Sequence, residues 1–584
     1  MLSQYFENPI LATYYYPRPS WGQEQIAQDL KVFSECDLRA VWLFYDPFYD
    51  IDDSEGLRYL LDSADAVGLQ VVPVLGQFTQ LQDDLKIVNV DGTTSDDPRY
   101  WNMGCFRKPR LLNLAIERAA RFLKEFGTHS SLYRIDDKPV MSFVHEAYYR
   151  NSVPEFGGDE MKPNCYCDDC RAAFKDYLKK HGMSDELSPP VDTSDPILWQ
   201  HWINFHAESI PLFLKNLIAA AKAVMPLWAT HECNDFYPAS WQSVYTGNDW
   251  WEMGAVLDFG HEDMYPLEFD NRYQCYVYNY AKDIMKSALG FQGLITANGQ
   301  AFNSWLGYQL PSNSMSEQIY SALGHGALGL VWWTELPSLS ADDEAKRYHM
   351  IRQTKQVNRL YLDLVKRLSG YTPASAEIAL LYSWTTMAQS LNDEHTYDTL
   401  LVYMLLTQSG YPVDIVSEKQ VSNGILAERH YKAVFALGCS ALPSIVQEQL
   451  TAFAENGGIL FVDYAPYMND AFQPLFPDWR NYTKKSLRTY EITHELPVTV
   501  QLAAAALIPP EDAEVFAYFN DKSAAIFRTS FGHGAVFMIG SYIGWDYSNY
   551  PGNYDLAKMF PFYIRRDYAL REYLVQLLTQ EGIC

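Results

Sequence analysis

Leu294-Ile295-Thr296-Ala297-Asn298-Gly299-Gln300-Ala301-Phe302-Asn303-Ser304-Trp305 carries the sharpest change from strand to loop in the chain. A short apolar run, Gly293–Thr296, gives way to a small polar cluster, Ala297-Asn298-Gly299-Gln300, as a buried parallel strand does where it empties into an active-site loop. Outward from it, short apolar runs alternate with amphipathic helices over residues 1–370. The runs are Ile10–Tyr16, Ala40–Tyr45, Gln70–Val74, Val140–Val144, Leu227–Thr230, Val256–Phe259, Gly293–Thr296 and Leu328–Trp333. Between them Gln25–Cys36, Gly56–Ala66 and Leu112–Phe126 carry apolar residues at three- and four-residue spacing, the period of a half-buried helix. Eight strands with intervening helices predict a (β/α)8 TIM barrel, with its chemistry at the strand C-termini. An insertion, roughly Tyr148 to Met225, separates strands four and five.

At Gly370-Tyr371-Thr372-Pro373-Ala374-Ser375 helical periodicity yields to turn residues, which predicts a domain boundary. A second α/β series follows over residues 371–584: Glu377–Tyr382, Val413–Val416, Ala433–Leu437 and Gly458–Asp463, then late strands in Glu514–Phe519 and Ser523–Ser541. The helix Ser444–Glu455 stops at Asn456-Gly457-Gly458. This series resembles a flavodoxin-like or glutamine-amidotransferase-like α/β domain. It lacks a Gly-x-Cys-x-Gly nucleophile elbow, and Cys439 reads as a buried thiol. An assembly role is therefore expected for it rather than a second activity.

A chain of 584 residues has ample material for a core beyond one domain. Its formal charge of −27 repels nucleic acid and anionic membranes and does not attract polyanionic glycans, so a neutral substrate fits best. No apolar run approaches membrane-spanning length. The start, MLSQYFENPILATYYYP, lacks a basic segment and an apolar signal core, so a cytoplasmic protein is expected.

Three of nine cysteines crowd into Asn164-Cys165-Tyr166-Cys167-Asp168-Asp169-Cys170. Neighbours at Cys-x-Cys spacing are poorly placed to bridge one another, and suit a tetrahedral zinc better than disulfides. Cys105 is the candidate fourth ligand; a cluster of unliganded thiols is the alternative. A site closed by four thiolates leaves no position for substrate, so such a zinc is structural and favours a reducing compartment.

The run Cys165-Tyr166-Cys167-Asp168-Asp169-Cys170-Arg171-Ala172-Ala173-Phe174 with an upstream Cys105 resembles glycoside hydrolase family 42, the zinc-containing β-galactosidases. Tyr14-Tyr15-Tyr16-Pro17 is similar to that family's first strand, Leu257-Asp258-Phe259 with Asp263-Met264-Tyr265-Pro266 to its sixth, and Gly324-His325-Gly326-Ala327 to the approach to its eighth. The resemblance implies a retaining exo-β-glycosidase barrel followed by a trimerisation domain, hence a homotrimer acting on a carbohydrate.

Retaining hydrolysis needs a carboxylic acid to protonate the leaving oxygen and a carboxylate to attack from the other face of the sugar. The acid/base falls on Glu146, at the mouth end of Val140–Val144, where His145 stands in place of the Asn common in barrel glycosidases. The nucleophile position in Ile/Val-Thr-Glu-Asn-Gly, eight residues before a sugar-stacking tryptophan, is Ala297 before Trp305. Alanine cannot attack an anomeric carbon, so the resemblance implies a silenced glycosidase. Glu232, Glu262, Asp263 and Glu335 near strand ends are substitute carboxylates for a second enzyme reading, and an inactive carbohydrate-binding or assembly protein is a third. His145, Glu262, Tyr265, Trp305 and Trp333 are the expected substrate-binding residues; core packing is the alternative for Trp332 and Trp333, since both cannot point inward from one strand. Where the β-galactosidases carry Glu-x-x-His after strand eight, this chain has Lys346-Arg347-Tyr348-His349, which leaves β-galactoside, β-mannoside and β-glucoside open.

Overall fold

The computed structural model describes residues 8–17, 22–44, 54–76, 81–94, 103–145, 147, 149, 165–233, 244, 246–266, 275–291, 293–303, 309–311, 313–334, 348–371, 374–390, 394–463, 483–485, 489–492, 496–501, 503–548 and 567–583. They divide into two compact units, the first ending at Tyr371 and the second beginning at Ala374.

In the first unit eight strands pair side by side in parallel: β1 (Leu11–Tyr15), β2 (Ala40–Phe44), β3 (Gln70–Val74), β4 (Lys138–His145), β5 (Trp228–Cys233), β6 (Phe259–Glu262), β7 (Leu294–Ala301) and β8 (Gly329–Thr334). The ring closes where β8 meets β1, with Ala12 opposite Val331, and where β3 meets β4, with Val74 opposite Ser142. This is a (β/α)8 barrel. Its inside is filled from alternate strand positions by Ala12, Ala40, Trp42, Val72, Val140, Phe259, Leu294 and Val331, so the barrel is a packed core rather than a pore. Helices such as Pro109–Phe126, Cys275–Ala288, Ser314–Gly324 and His349–Leu368 run between the strands. No helix among the described residues is long and apolar enough to cross a membrane.

Two strands depart from the sequence expectation. The run Val256–Phe259 is mostly connection: the helix Trp250–Gly254 ends just before it, the Asp258 carboxylate takes the Ala229 N–H at 2.7 Å, and β6 begins only at Phe259. Nor does β7 stop at Thr296. Residues Ala297 to Ala301 stay in register with Leu330 to Thr334 of β8, because the polar groups on this segment find buried partners: Gln300 exchanges hydrogen bonds with Gln318, and Asn298 with residues beyond β6.

In the second unit β9 (Ile378–Tyr382), β10 (Val413–Ser417), β11 (Ala433–Ala436) and β12 (Ile459–Asp463) form a parallel sheet in the order β10-β9-β11-β12, an order shared with doubly wound flavodoxin-like sheets. Gly534–Ile539 adds to it in parallel beside β12, and from there an antiparallel run extends the sheet through Ala524–Phe531, Glu514–Phe519, Thr489–Ile492 and Leu496–Thr499. Ligands in such sheets lie outside the strand C-termini, where the chain here leads into Ser383, Glu418 and Leu437 and where β12 ends at Asp463.

Candidate active site

The mouth end of the barrel is lined by aromatic and imidazole rings. Tyr14 and Phe44 lie on the inward faces of β1 and β2, and a bulge between Ser142 and His145 turns the His145 ring onto them, 4.6 Å edge-on from Phe44. Across the barrel His261 stacks on Trp42 at 4.5 Å and sets its Nε2 2.7 Å from the Tyr14 Oη. Trp333 completes the ring, meeting Tyr14 edge-on at 5.0 Å. Such a floor offers ring faces for a pyranose and polar tips for its hydroxyls.

The register of β6 and β7 decides which side chains reach that floor. His261 is opposite Thr296 and Glu262 opposite Ala297. His261 touches Tyr14 and Trp42, so its face is inward. Glu262 turns the other way: fully buried, it holds Lys282 of the helix Cys275–Ala288 at 2.8 Å. Burial raises the Glu262 carboxyl above its ordinary range, and Lys282 opposes that rise. Ala297, in register with Glu262 and Leu330, shares this outward face. Gly299 does too, since a Cβ there would collide with the ring of Trp332, whose Nε1–H donates to Asn358 on the helix His349–Leu368 at 2.7 Å. Inward-facing on β7 are Thr296 and Asn298. The Asn298 amide donates to the Asp263 carboxylate and, at 3.2 Å, to the Tyr265 Oη.

The expected residues thus fall into three groups. His145, Trp333 and Tyr265 stand on the inward side with Tyr14 and His261. Glu262, Ala297 and Trp332 face the helices. Glu146, Trp305 and Glu335 lie outside the described residues, and of Glu232 the backbone is described, paired with His145 and His261. Tyr14, Trp42, His261 and Asn298 were not singled out from sequence. For His261 the signal was available: it follows Phe259 by two on an alternating strand.

Cys105, Cys165, Cys167 and Cys170 come together, with every sulfur within 4.8 Å of the others. Cys105 lies 3.4 Å from Cys170 and 3.8 Å from Cys167. Two backbone N–H groups, from Val88 and Cys167, point at the Cys165 Sγ, and Cys170 sits in the first turn of the helix Asp168–Lys180, where the helix dipole favours negative charge. Burial pushes the Cys105 thiol well up. Four buried soft donors at tetrahedral spacing fit a thiophilic dication, whose charge would hold all four as thiolates.

No family model matches the sequence, and no curated protein does. Solved structures do. A β-galactosidase from Bacillus circulans sp. alkalophilus superposes with a TM-score of 0.74 at 15% identity, over 98% of this chain and 89% of that one. A catalytic mutant of a GH42 β-galactosidase from G. stearothermophilus gives 0.75 at 15% identity, over 98% and 88%. The chain has the fold of the GH42 β-galactosidases. An exo-β-1,4-mannosidase from Opitutaceae bacterium strain TAV5 gives 0.61 at 14% identity, over 97% and 96%.

The sheet end of the second unit holds a buried polar cluster of its own. Gly438, at φ +58°, turns the chain sharply after β11, and Cys439 follows it, 3.8 Å from His395 Nδ1. That contact is not a nucleophile–base pair. His395 Nδ1–H donates to the Leu437 carbonyl at 2.6 Å, and its Nε2 accepts from the Ser383 N–H at 2.8 Å, so both ring nitrogens are committed to the backbone. Burial lowers the imidazole to about 4 and raises the Cys439 thiol well above its ordinary value, leaving both neutral.

Proposed function

We propose that the chain is an exo-acting β-glycosidase of short β-linked oligosaccharides or simple β-glycosides, with Glu146 as general acid/base. The observation that carries this reading is the ring of Tyr14, His145, His261, Trp333 and Tyr265 at the C-terminal mouth of a (β/α)8 barrel. The similar structures, β-galactosidases and an exo-β-1,4-mannosidase, support a β-linked pyranoside as the substrate class. Turnover of a panel of aryl β-galactosides, β-mannosides and β-glucosides tests it. Activity on one of them, lost in Glu146→Gln and partly regained on substrates whose leaving group needs no proton, is the expected result. No turnover and no binding of any of them would sink the reading, and binding without turnover would favour a carbohydrate-binding protein.

On the nucleophile two readings compete. If a glutamate has been lost at 297, Ala297→Glu should raise activity by several orders of magnitude. The register of β7 with β6 and β8 favours the other reading, in which a different carboxylate serves, because a longer side chain at 297 starts on the face of Glu262 and Leu330. Cys105, Cys165, Cys167 and Cys170 would hold one structural zinc that fixes the insertion to the barrel rim. The second unit is proposed to assemble the chain as a cytoplasmic homotrimer; light scattering that returned a monomer with unchanged activity would remove the assembly role.

A further inference from the structure

We infer that Asp263 is the second carboxylate of the site, attacking the anomeric carbon that Glu146 helps to free. This rests on the glycosidase reading above. Alternation from His261 puts Asp263 on the inward side just past the mouth end of β6, beside Asn298 on β7. Asp263 is nearly buried, at 7% exposure, and accepts a hydrogen bond from the Asn298 Nδ2–H, which also reaches Tyr265.

Asn298 is itself held from three sides. Its carbonyl accepts from the Tyr278 Oη–H at 2.6 Å, its N–H donates to Glu262 at 3.3 Å, and its side chain bridges Asp263 and Tyr265. The buried Glu262–Lys282 pair thereby acts as a prop behind β7, fixing the residue that aims Asp263. One more feature points to a ligand: the Asn298 Oδ1 is buried with no hydrogen-bond partner among the described residues, an acceptor that a sugar hydroxyl on the inward side would satisfy. Glu262 cannot play the part of Asp263, since its carboxylate faces the helix layer and is engaged by Lys282.

Water is the one co-reactant the two steps consume. An Asp263 oxygen forms a bond to the anomeric carbon as the glycosidic C–O bond breaks, and the Glu146 carboxyl gives its proton to the leaving oxygen. Water then attacks the same carbon, loses its proton to Glu146 and releases the Asp263 carboxylate.

Dinitrophenyl deoxyfluoro β-galactoside, β-mannoside and β-glucoside, whose fluorine slows the second step, trap such an intermediate. Incubation of the full chain followed by peptide mapping should find the sugar esterified to Asp263. Asp263→Asn should lose more than a thousandfold in kcat on aryl glycosides and regain part of it with azide, while Ala297→Glu should gain nothing. A label on another carboxylate overturns the assignment, as does turnover with no label, or Asp263→Asn activity within tenfold of the parent. Failure of the parent to turn over any glycoside overturns the glycosidase reading together with this one, whereas parental turnover with an active Asp263→Asn variant removes the assignment alone.

Discussion

The barrel unit buries four cysteine sulfurs against one another, and the second unit buries two aspartates, Asp398 and Asp463, beside His395 and Cys439. Each cluster gathers groups that repel when charged, in a place where water cannot screen them. The sulfurs are soft and all lie within 4.8 Å of one another, so a single cation would satisfy them all. In the second unit the donors are backbone amides: Gly544 and Trp545 N–H on Asp398 at 2.9 and 3.1 Å, and Gly438 N–H on Asp463. Those bonds fall on one oxygen of each aspartate, and the other oxygen of each is buried without a hydrogen-bond partner among the described residues, which favours a proton held there over two charges. Four thiols at short spacing suit a metal, whereas two carboxyls brought together from a helix and a strand end are suited to protonation.

Removing the metal should produce the largest effect. Elemental analysis of protein purified without added metal should find about one zinc per chain. Because structural zinc contributes on the order of 10 kcal/mol in small zinc domains, chelation or Cys170→Ala should unfold the segment around Asp168–Lys180, visible as new hydrogen exchange there. A metal-free sample with full protection in that helix would break the comparison, since four buried thiols would then need no cation.

A second pair sharpens it, because Glu262 and Lys282 show the case where buried charge is answered by opposite charge. Lys282→Met leaves Glu262 buried and alone, and should cost about 3–5 kcal/mol in urea unfolding, whereas replacing both by apolar residues should cost far less. If the single and double variants were equally stable, the pair would not be ionised in the fold.

These clusters also mark what sequence could reveal. The cysteine cluster was legible because three of its four members lie within six residues, so local spacing alone narrows the geometry. Seven of the eight barrel strands were legible as apolar runs, and the sixth, Phe259–Glu262, meets its run Val256–Phe259 only at Phe259. Which face a residue takes was harder: placing the end of β7 at Thr296 made Ala297 the first residue of the mouth, whereas the strand continues and alternation sends 297 outward and Asn298 inward. A single-residue slip exchanges the faces of a strand, and apolar content cannot detect it where both faces are buried. The polar residues Asn298 and Gln300 belong to the strand only because Asp263, Tyr265 and Gln318 supply partners from elsewhere in the chain. Nothing local in Asp398 or Asp463 announces that they meet.

The aspartate pair yields the smallest effect, and its sign is fixed. Burial raises both carboxyls, Asp463 to about 6 and Asp398 well above its ordinary value, with the charge of Asp463 adding to the rise at Asp398. Asp546, whose carboxylate accepts from Ser541, pushes Asp463 further up, while neutral His395 and Cys439 supply no compensating charge. An acid whose folded pKa exceeds its unfolded one holds its proton more tightly in the fold, so its stabilising contribution is complete below about pH 4, the ordinary aspartate range. That contribution is then lost as pH rises through about 6 and beyond, by up to about 1.4 kcal/mol per pH unit for each proton, roughly 1–3 kcal/mol in all. Urea unfolding of the full chain between pH 5 and 8, followed by hydrogen exchange in β12, should show this decline. Asp463→Asn, which keeps the acceptor for Gly438 and removes the charge, should flatten it. A variant with the parental slope would show that the two carboxyls do not share a proton, and would leave the cysteine site as the single charge-crowded cluster in the comparison.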